Sequence, residues 1–178
     1  MKHIIRVISF VVLTFYAVTC NGQPGVDKDQ DARRHVEKTG GFSFVPPEDW
    51  KVRDFPGLKY KIVVGPIGAG FASNINVVDE TIKGTLDDYV KGNIAVLQSA
   101  FKKFRLVKQD DFKTSAGLQG ARLIAESEQN DMLLRQTFYF FGTADTKYVI
   151  TCSTLAEGGE KLDPVFEKSM KTFRFEKQ

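Results

Sequence analysis

Paired carboxylates occur three times in the chain, at Asp79-Glu80, Asp87-Asp88 and Asp110-Asp111. Two carboxylates held side by side can chelate a divalent cation or share acid–base work. Adjacent residues of a strand point to opposite faces, which works against Asp79-Glu80 and Asp110-Asp111 as chelating pairs. Asp87-Asp88 opens a helical pattern, where negative charge suits the positive end of the helix dipole. Solvated surface is the plainer reading of all three.

Other chemistry is sparse. Histidine occurs twice, His3 in the apolar N-terminal region and His35 in a polar stretch, so a Ser-His-Asp or Cys-His arrangement within the folded part is excluded by count. No HExxH, paired CxxC or EF-hand loop is present. The run Gly65-Pro66-Ile67-Gly68-Ala69-Gly70-Phe71 superficially resembles a phosphate loop, but it leads into a strand and lacks the following Gly-Lys-Ser/Thr. A hairpin connection is the better reading, with Phe71 packed at a strand end. Lys102, Lys103, Arg105 and Lys108 form a basic cluster that reads as the solvated end of a helix. Cys152 lies in the apolar run Tyr148–Cys152 and reads as a small buried hydrophobe. No catalytic, metal-ligating or cofactor-binding residue is assigned, and a non-enzymatic protein is expected.

The elements that carry these residues follow from periodicity. Phe42 and Phe44 alternate with Ser43 until Pro46-Pro47, and Trp50 and Val52 alternate with Lys51 and Arg53. Tyr60, Ile62 and Val64 alternate before Gly65-Pro66, which is expected to stop that strand, and Asn74–Ile82 follows. Short alternating runs of this kind predict an antiparallel meander. Leu86, Val90, Ile94, Leu97, Phe101 and Phe104 then fall at steps of three or four, predicting a helix capped by Thr85 and ending in Lys102 and Lys103. Strands are expected at 105–113, 119–128, 133–141 and 147–154. In the third of these, Phe138 and Phe140 face one way while Tyr139 and Phe141 face the other, so that strand is covered on both sides. Leu162, Phe166, Met170 and Phe173 form a closing helical stripe, with Asp163-Pro164 in its first turn. The predicted class is α+β: an α/β/α sandwich with a central antiparallel sheet flanked by two main helices.

The N-terminus speaks to location. Lys2 and Arg6 precede the apolar run Val7–Val18, which ends in Ala17-Val18-Thr19-Cys20. The run is short for a membrane span, which needs roughly 20 apolar residues, and suits an export signal. Two cleavage readings stand. Cys20 is a lipid-attachment residue in a degenerate lipobox, or an ordinary peptidase cuts near Thr19 or Gly22 and leaves a soluble exported protein. A Cys20–Cys152 bridge is the minority option. The organisation is then an export signal over 1–19, a flexible polar tether over 20–40 and a folded domain over 41–178. Removing residues 1–19 leaves 23 basic against 22 acidic side chains, which gives no electrostatic case for nucleic acid.

The order of Gly41–Pro46 with Trp50, Asn74-Ile75-Asn76-Val77 and Leu86-Asp87-Asp88-Tyr89 resembles the PsbP/DcrB-like family. So do Gly117–Arg122, Tyr148–Cys152 and Phe166–Phe173. The resemblance spans about residues 41–176 and implies an α/β/α sandwich. It places the chain beside extrinsic photosystem subunits, bacterial envelope lipoproteins and a Ran-binding nuclear protein, which bind other proteins and share no catalytic centre. Fold transfers across such a family better than function does. The expectation is a membrane-anchored envelope protein binding an unidentified envelope protein partner. The alternative is a periplasmic protein that binds a small ligand or metal between sheet and helix.

Overall fold

The computed structural model describes residues 32–176. The export signal, Cys20 and the tether up to residue 31 lie outside the described residues. Seven antiparallel strands form the main sheet, in the order β3-β4-β5-β9-β8-β7-β6. They are β3 (Lys51–Arg53), β4 (Ile62–Gly68), β5 (Phe71–Thr81), β6 (Lys102–Lys113), β7 (Gln119–Gln129), β8 (Met132–Gly142) and β9 (Thr146–Leu155). A small second sheet joins β1 (His35–Glu37), β2 (Phe42–Phe44) and β10 (Arg174–Phe175) in the order β1-β2-β10. Among the described residues two α-helices, α1 (Leu86–Ala100) and α2 (Asp163–Lys171), complete a mainly antiparallel α+β domain.

Strand β8 shows why both faces of the main sheet are covered. Phe138 and Phe140 join Leu123, Ala125 and Val149 in a cluster that receives Val90 and Leu97 of α1. Tyr139 and Phe141 join Ile150 and Cys152 in a second cluster that receives Phe166 and Met170 of α2 with Phe42 and Phe44 of β2. The two-residue side-chain period sends successive residues to opposite faces. Each fully buried Phe or Leu contributes roughly 1.5–3 kcal/mol of transfer free energy.

Helix α1 starts where expected. The Asp88 N–H donates to Thr85 Oγ1 at 3.1 Å, and the Thr85 hydroxyl donates back to Asp88 Oδ2 at 2.7 Å. Its end is earlier than the apolar stripe predicts, because Lys102–Lys113 is strand β6. Phe101 and Phe104 pack against the same cluster as α1 although the backbone has already left the helix. Periodicity reports which cluster a side chain enters, and here two secondary structures feed one cluster. The basic cluster consequently sits on an edge strand, not a helix end.

Two further boundaries differ from expectation. Gly65-Pro66 does not stop β4, which continues to Gly68 with its register shifted between Val64 and Ile67. A bulge spares the strand the hydrogen bond that proline cannot donate. The tether expected up to residue 40 gives way to structure earlier, since His35–Glu37 pairs with Phe42–Phe44. The Arg34 guanidinium donates to Ser43 Oγ at 3.1 Å and to the Thr172 carbonyl at 3.0 Å, tying this segment down. A three-residue strand whose one aliphatic residue, Val36, is exposed leaves no periodic trace in the sequence.

Candidate binding groove

The structure disperses the residues that sequence reading singled out. Asp79 accepts from Lys59 Nζ at 2.7 and 2.8 Å. Glu80, next along β5, acts instead on Tyr89 of α1, whose hydroxyl is pushed up to about 12 by burial and then by the Glu80 charge. Asp87 and Asp88 belong to the helix cap. Asp110 takes the Arg122 guanidinium through Nε at 2.9 Å and Nη2 at 2.5 Å, and Lys108 at 2.8 Å. Those donors, Arg122 first, hold its carboxyl down to about 2. Among the described residues no three His, Cys, Asp or Glu side chains converge on a point.

The glycine-rich run is a tight hairpin. Ala69 and Gly70 have φ of 45° and 80°, and Gly68 pairs with Phe71 across the turn. Two residues of positive φ give the twist that joins antiparallel strands closely. Phe71 is buried at the strand end. On β6, Lys103 pairs with Glu128 at 2.5 Å, Arg105 with Glu126 at 2.6 Å and Lys108 with Asp110, so carboxylates offset most of the basic cluster. Cys152 is a free cysteine, fully buried, its thiol pushed well up by desolvation. His35 is held below its ordinary pKa by desolvation, which outweighs Glu37 at 3.9 Å.

A concavity that sequence reading missed lies against α2. Its volume is about 490 Å³, and it runs between the segment 45–50 and the exposed side of the helix. Val45, Pro46, Trp50, Leu162 and Val165 supply the apolar lining, and Arg33, Glu48 and Lys168 supply its charges. Trp50 is firmly mounted. Its ring meets Phe166 edge-on at 5.8 Å and covers Gly65 so closely that a Cβ there would lie 2.3 Å from the indole. The hydroxyls in the floor are already used. Ser169 Oγ donates to the Val45 carbonyl at 2.6 Å, while Thr172 Oγ1 accepts from the Val45 N–H at 2.7 Å and donates to the Ser169 carbonyl at 2.6 Å. Such a groove offers apolar contact and charged side chains, because its Ser169 and Thr172 hydroxyls are engaged within the fold.

Helix α2 is placed by arginines of the sheet. Arg135 of β8 grips Asp163 through Nε at 3.1 Å and Nη2 at 2.6 Å and also holds Glu126 at 2.9 Å. Arg122 of β7 holds Glu167 at 2.8 Å as well as Asp110. Asp163 and Glu167 are four residues apart and so share one face of α2. The opposite side of the helix is thereby turned to the groove. The sequence signal for the groove was present in Pro46-Pro47 followed by the chain's sole tryptophan, which the strand pattern absorbed.

On the α1 side the sheet carries buried polar residues that sequence reading also passed over. Gln136 donates to Ser153 Oγ at 3.0 Å and accepts from Gln129 Nε2 at 2.8 Å. Asn76 and Thr151 face each other across β5 and β9, and neither Asn76 Oδ1 nor Thr151 Oγ1 has a hydrogen-bond partner among the described residues.

No protein-family model matches the chain. No curated protein matches it in sequence. Solved structures do resemble it. Cyanobacterial PsbP (CyanoP) from Synechocystis sp. PCC 6803 is 15% identical, with a TM-score of 0.58 over 80% of this chain and 91% of that one. LpqN of Mycobacterium tuberculosis, described as involved in cell envelope biogenesis, is 12% identical, with a TM-score of 0.59 over 76% and 83%. A Pseudomonas aeruginosa protein of unknown function is 14% identical, with a TM-score of 0.58 over 72% and 99%. At these identities the likeness concerns the backbone arrangement, and what the chain has is a PsbP-like fold.

Proposed function

We propose that this chain is an exported, non-enzymatic envelope protein, lipid-anchored through Cys20, that acts as a binding and assembly module for another protein. On this reading it belongs to the DcrB-like lipoprotein branch, with its layers arranged as an α/β/α sandwich. The observation that carries the reading is the groove on α2: a concavity where Trp50, held edge-on by Phe166, and other apolar side chains lie beside the exposed charges of Arg33, Glu48 and Lys168. Aromatic anchors in desolvated pockets dominate protein-binding surfaces. The export pattern of residues 1–20 and the involvement of LpqN in cell envelope biogenesis agree with it. Among the described residues no helix is long and apolar enough to cross a membrane.

The test begins with the intact mass of the mature protein from its native membrane fraction, beside a Cys20→Ser version. Acyl mass on Cys20, lost on substitution, is the expected result. An unmodified N-terminus in the soluble fraction would overturn the anchor. Photo-crosslinkers placed at the groove and along β6 in living cells then ask for a partner. Capture of one protein at a surface position supports the module, and silence at every position sinks it.

A second reading, a small polar ligand held between the sheet and α1, is favoured by the unpartnered Asn76 Oδ1 and Thr151 Oγ1. A ligand that binds only the folded state raises the unfolding midpoint. A thermal-shift screen of sugars, amino acids and divalent cations would show this, and a flat screen would dismiss it.

A further inference from the structure

The charges at the groove on α2 set it apart from the rest of that helix. Arg122 and Arg135, on the sheet side, each hold two carboxylates. Arg33 and Lys168, which line the groove, are both exposed, and neither has an ion-pair partner among the described residues. Among the described residues Glu48 is the one carboxylate in the lining, so the balance there is cationic. Between these charges lie Val45, Pro46, Trp50 and Val165, and the Ser169 and Thr172 hydroxyls among them are engaged within the fold. A sugar or nucleotide, which needs several free hydrogen-bonding groups, finds few here. An apolar side chain flanked by a carboxylate finds both of its complements.

We infer that the groove between residues 45–50 and α2 docks an extended acidic peptide segment of a partner protein, with an apolar or proline side chain seated on Trp50 and Val165 and an adjacent carboxylate paired with Lys168 or Arg33. This rests on the protein-binding reading above and names the chemistry of the partner. Trp50 supplies large contact area at low entropic cost, because Phe166 and the Gly65 backbone already hold its ring. The rim cations steer the segment and set its direction.

The test pans a display library of random twelve-residue peptides against the exported chain from residue 20 to 178 carrying Cys20→Ser. Because Trp50 is the sole tryptophan, its emission reads occupancy of the groove directly. The expected result is a selected set with Asp or Glu next to an apolar or proline residue, binding saturably with a change in Trp50 emission. The exposed double reversal Arg33→Glu with Lys168→Glu should weaken those peptides by about tenfold or more and favour versions with Lys in place of the acid. Peptides without an acidic preference, binding that leaves Trp50 emission unchanged, or affinity indifferent to the reversal would overturn the inference. So would a Trp50 response to phosphatidylglycerol vesicles and none to acidic peptides, which would assign the groove to lipid. A partner crosslinked along β6 with the groove silent would end this inference while leaving the binding module standing.

Discussion

The two faces of the main sheet hold their helices by different means. Helix α1 lies on an apolar cluster, and its own N-terminal cap, Thr85 with Asp88, is made within one turn of chain. Helix α2 is nine residues long with no side-chain N-cap, and it is pinned by Arg135 and Arg122, 28 and 45 residues away in sequence from the carboxylates they hold. The small sheet packs beside it through Phe42, Phe173 and Phe175. One helix is thus stabilised locally and then buried. The other is too short to stand alone, and the tertiary structure orients it so that its free side can form a groove.

The largest expected effect breaks the α2 side. Phe141 stacks on Phe173 at 4.7 Å with ring planes 7° apart, and Phe141→Ala should cost about 4 kcal/mol in urea unfolding. Next comes the clamp. Arg135→Ala strips Asp163 and Glu126 of a shared partner and should cost about 3 kcal/mol. A double-mutant cycle with Asp163→Asn should show coupling of about 1–3 kcal/mol, and additive effects would mean that the clamp does not place α2. On the α1 side the effects are smaller because they are local. Thr85→Ala should cost about 1 kcal/mol, with faster amide exchange confined to the first turn of α1. Gly92→Ala should gain up to about 1 kcal/mol, since a Cβ there meets nothing within 4 Å.

The smallest effect is in pH. Burial holds the His35 pKa below 6.5, so the unfolded chain binds a proton more readily than the fold. Its contribution is therefore complete above pH 6.5 and is lost as pH falls through the folded value. Asp110 has the acid counterpart, complete above its ordinary 3.8 and lost as pH falls toward about 2. A stability profile from pH 7.5 to 5 should flatten in His35→Gln, and an unchanged slope would locate the titration elsewhere.

Much of the fold was legible because it is periodic. The strands from Phe71 to Leu155 and the alternation of Phe138–Phe141 follow from side-chain period alone. The errors fell where one side-chain cluster collects residues from two backbones, as with Phe101 and Phe104, or where a bulge lets a strand pass Gly65-Pro66. Strand β1 was missed because ladder hydrogen bonds and Arg34 order it, neither of which is a pattern of residue types along the chain.

By itself the sequence determined the composition of the layers: which residues are apolar, at what period, and so which elements have two faces to bury. It also carried an apolar run ending at Cys20 that reads as an export pattern, and it left the folded part a single histidine, His35, which the structure places in β1. Only the tertiary structure decided where α2 lies, since that depends on pairings such as Arg122 with Glu167 across 45 residues of chain. The groove exists for the same reason. Pro46, Trp50, Val165 and Lys168 come to line one concavity when the sheet's arginines turn one side of a short helix toward them.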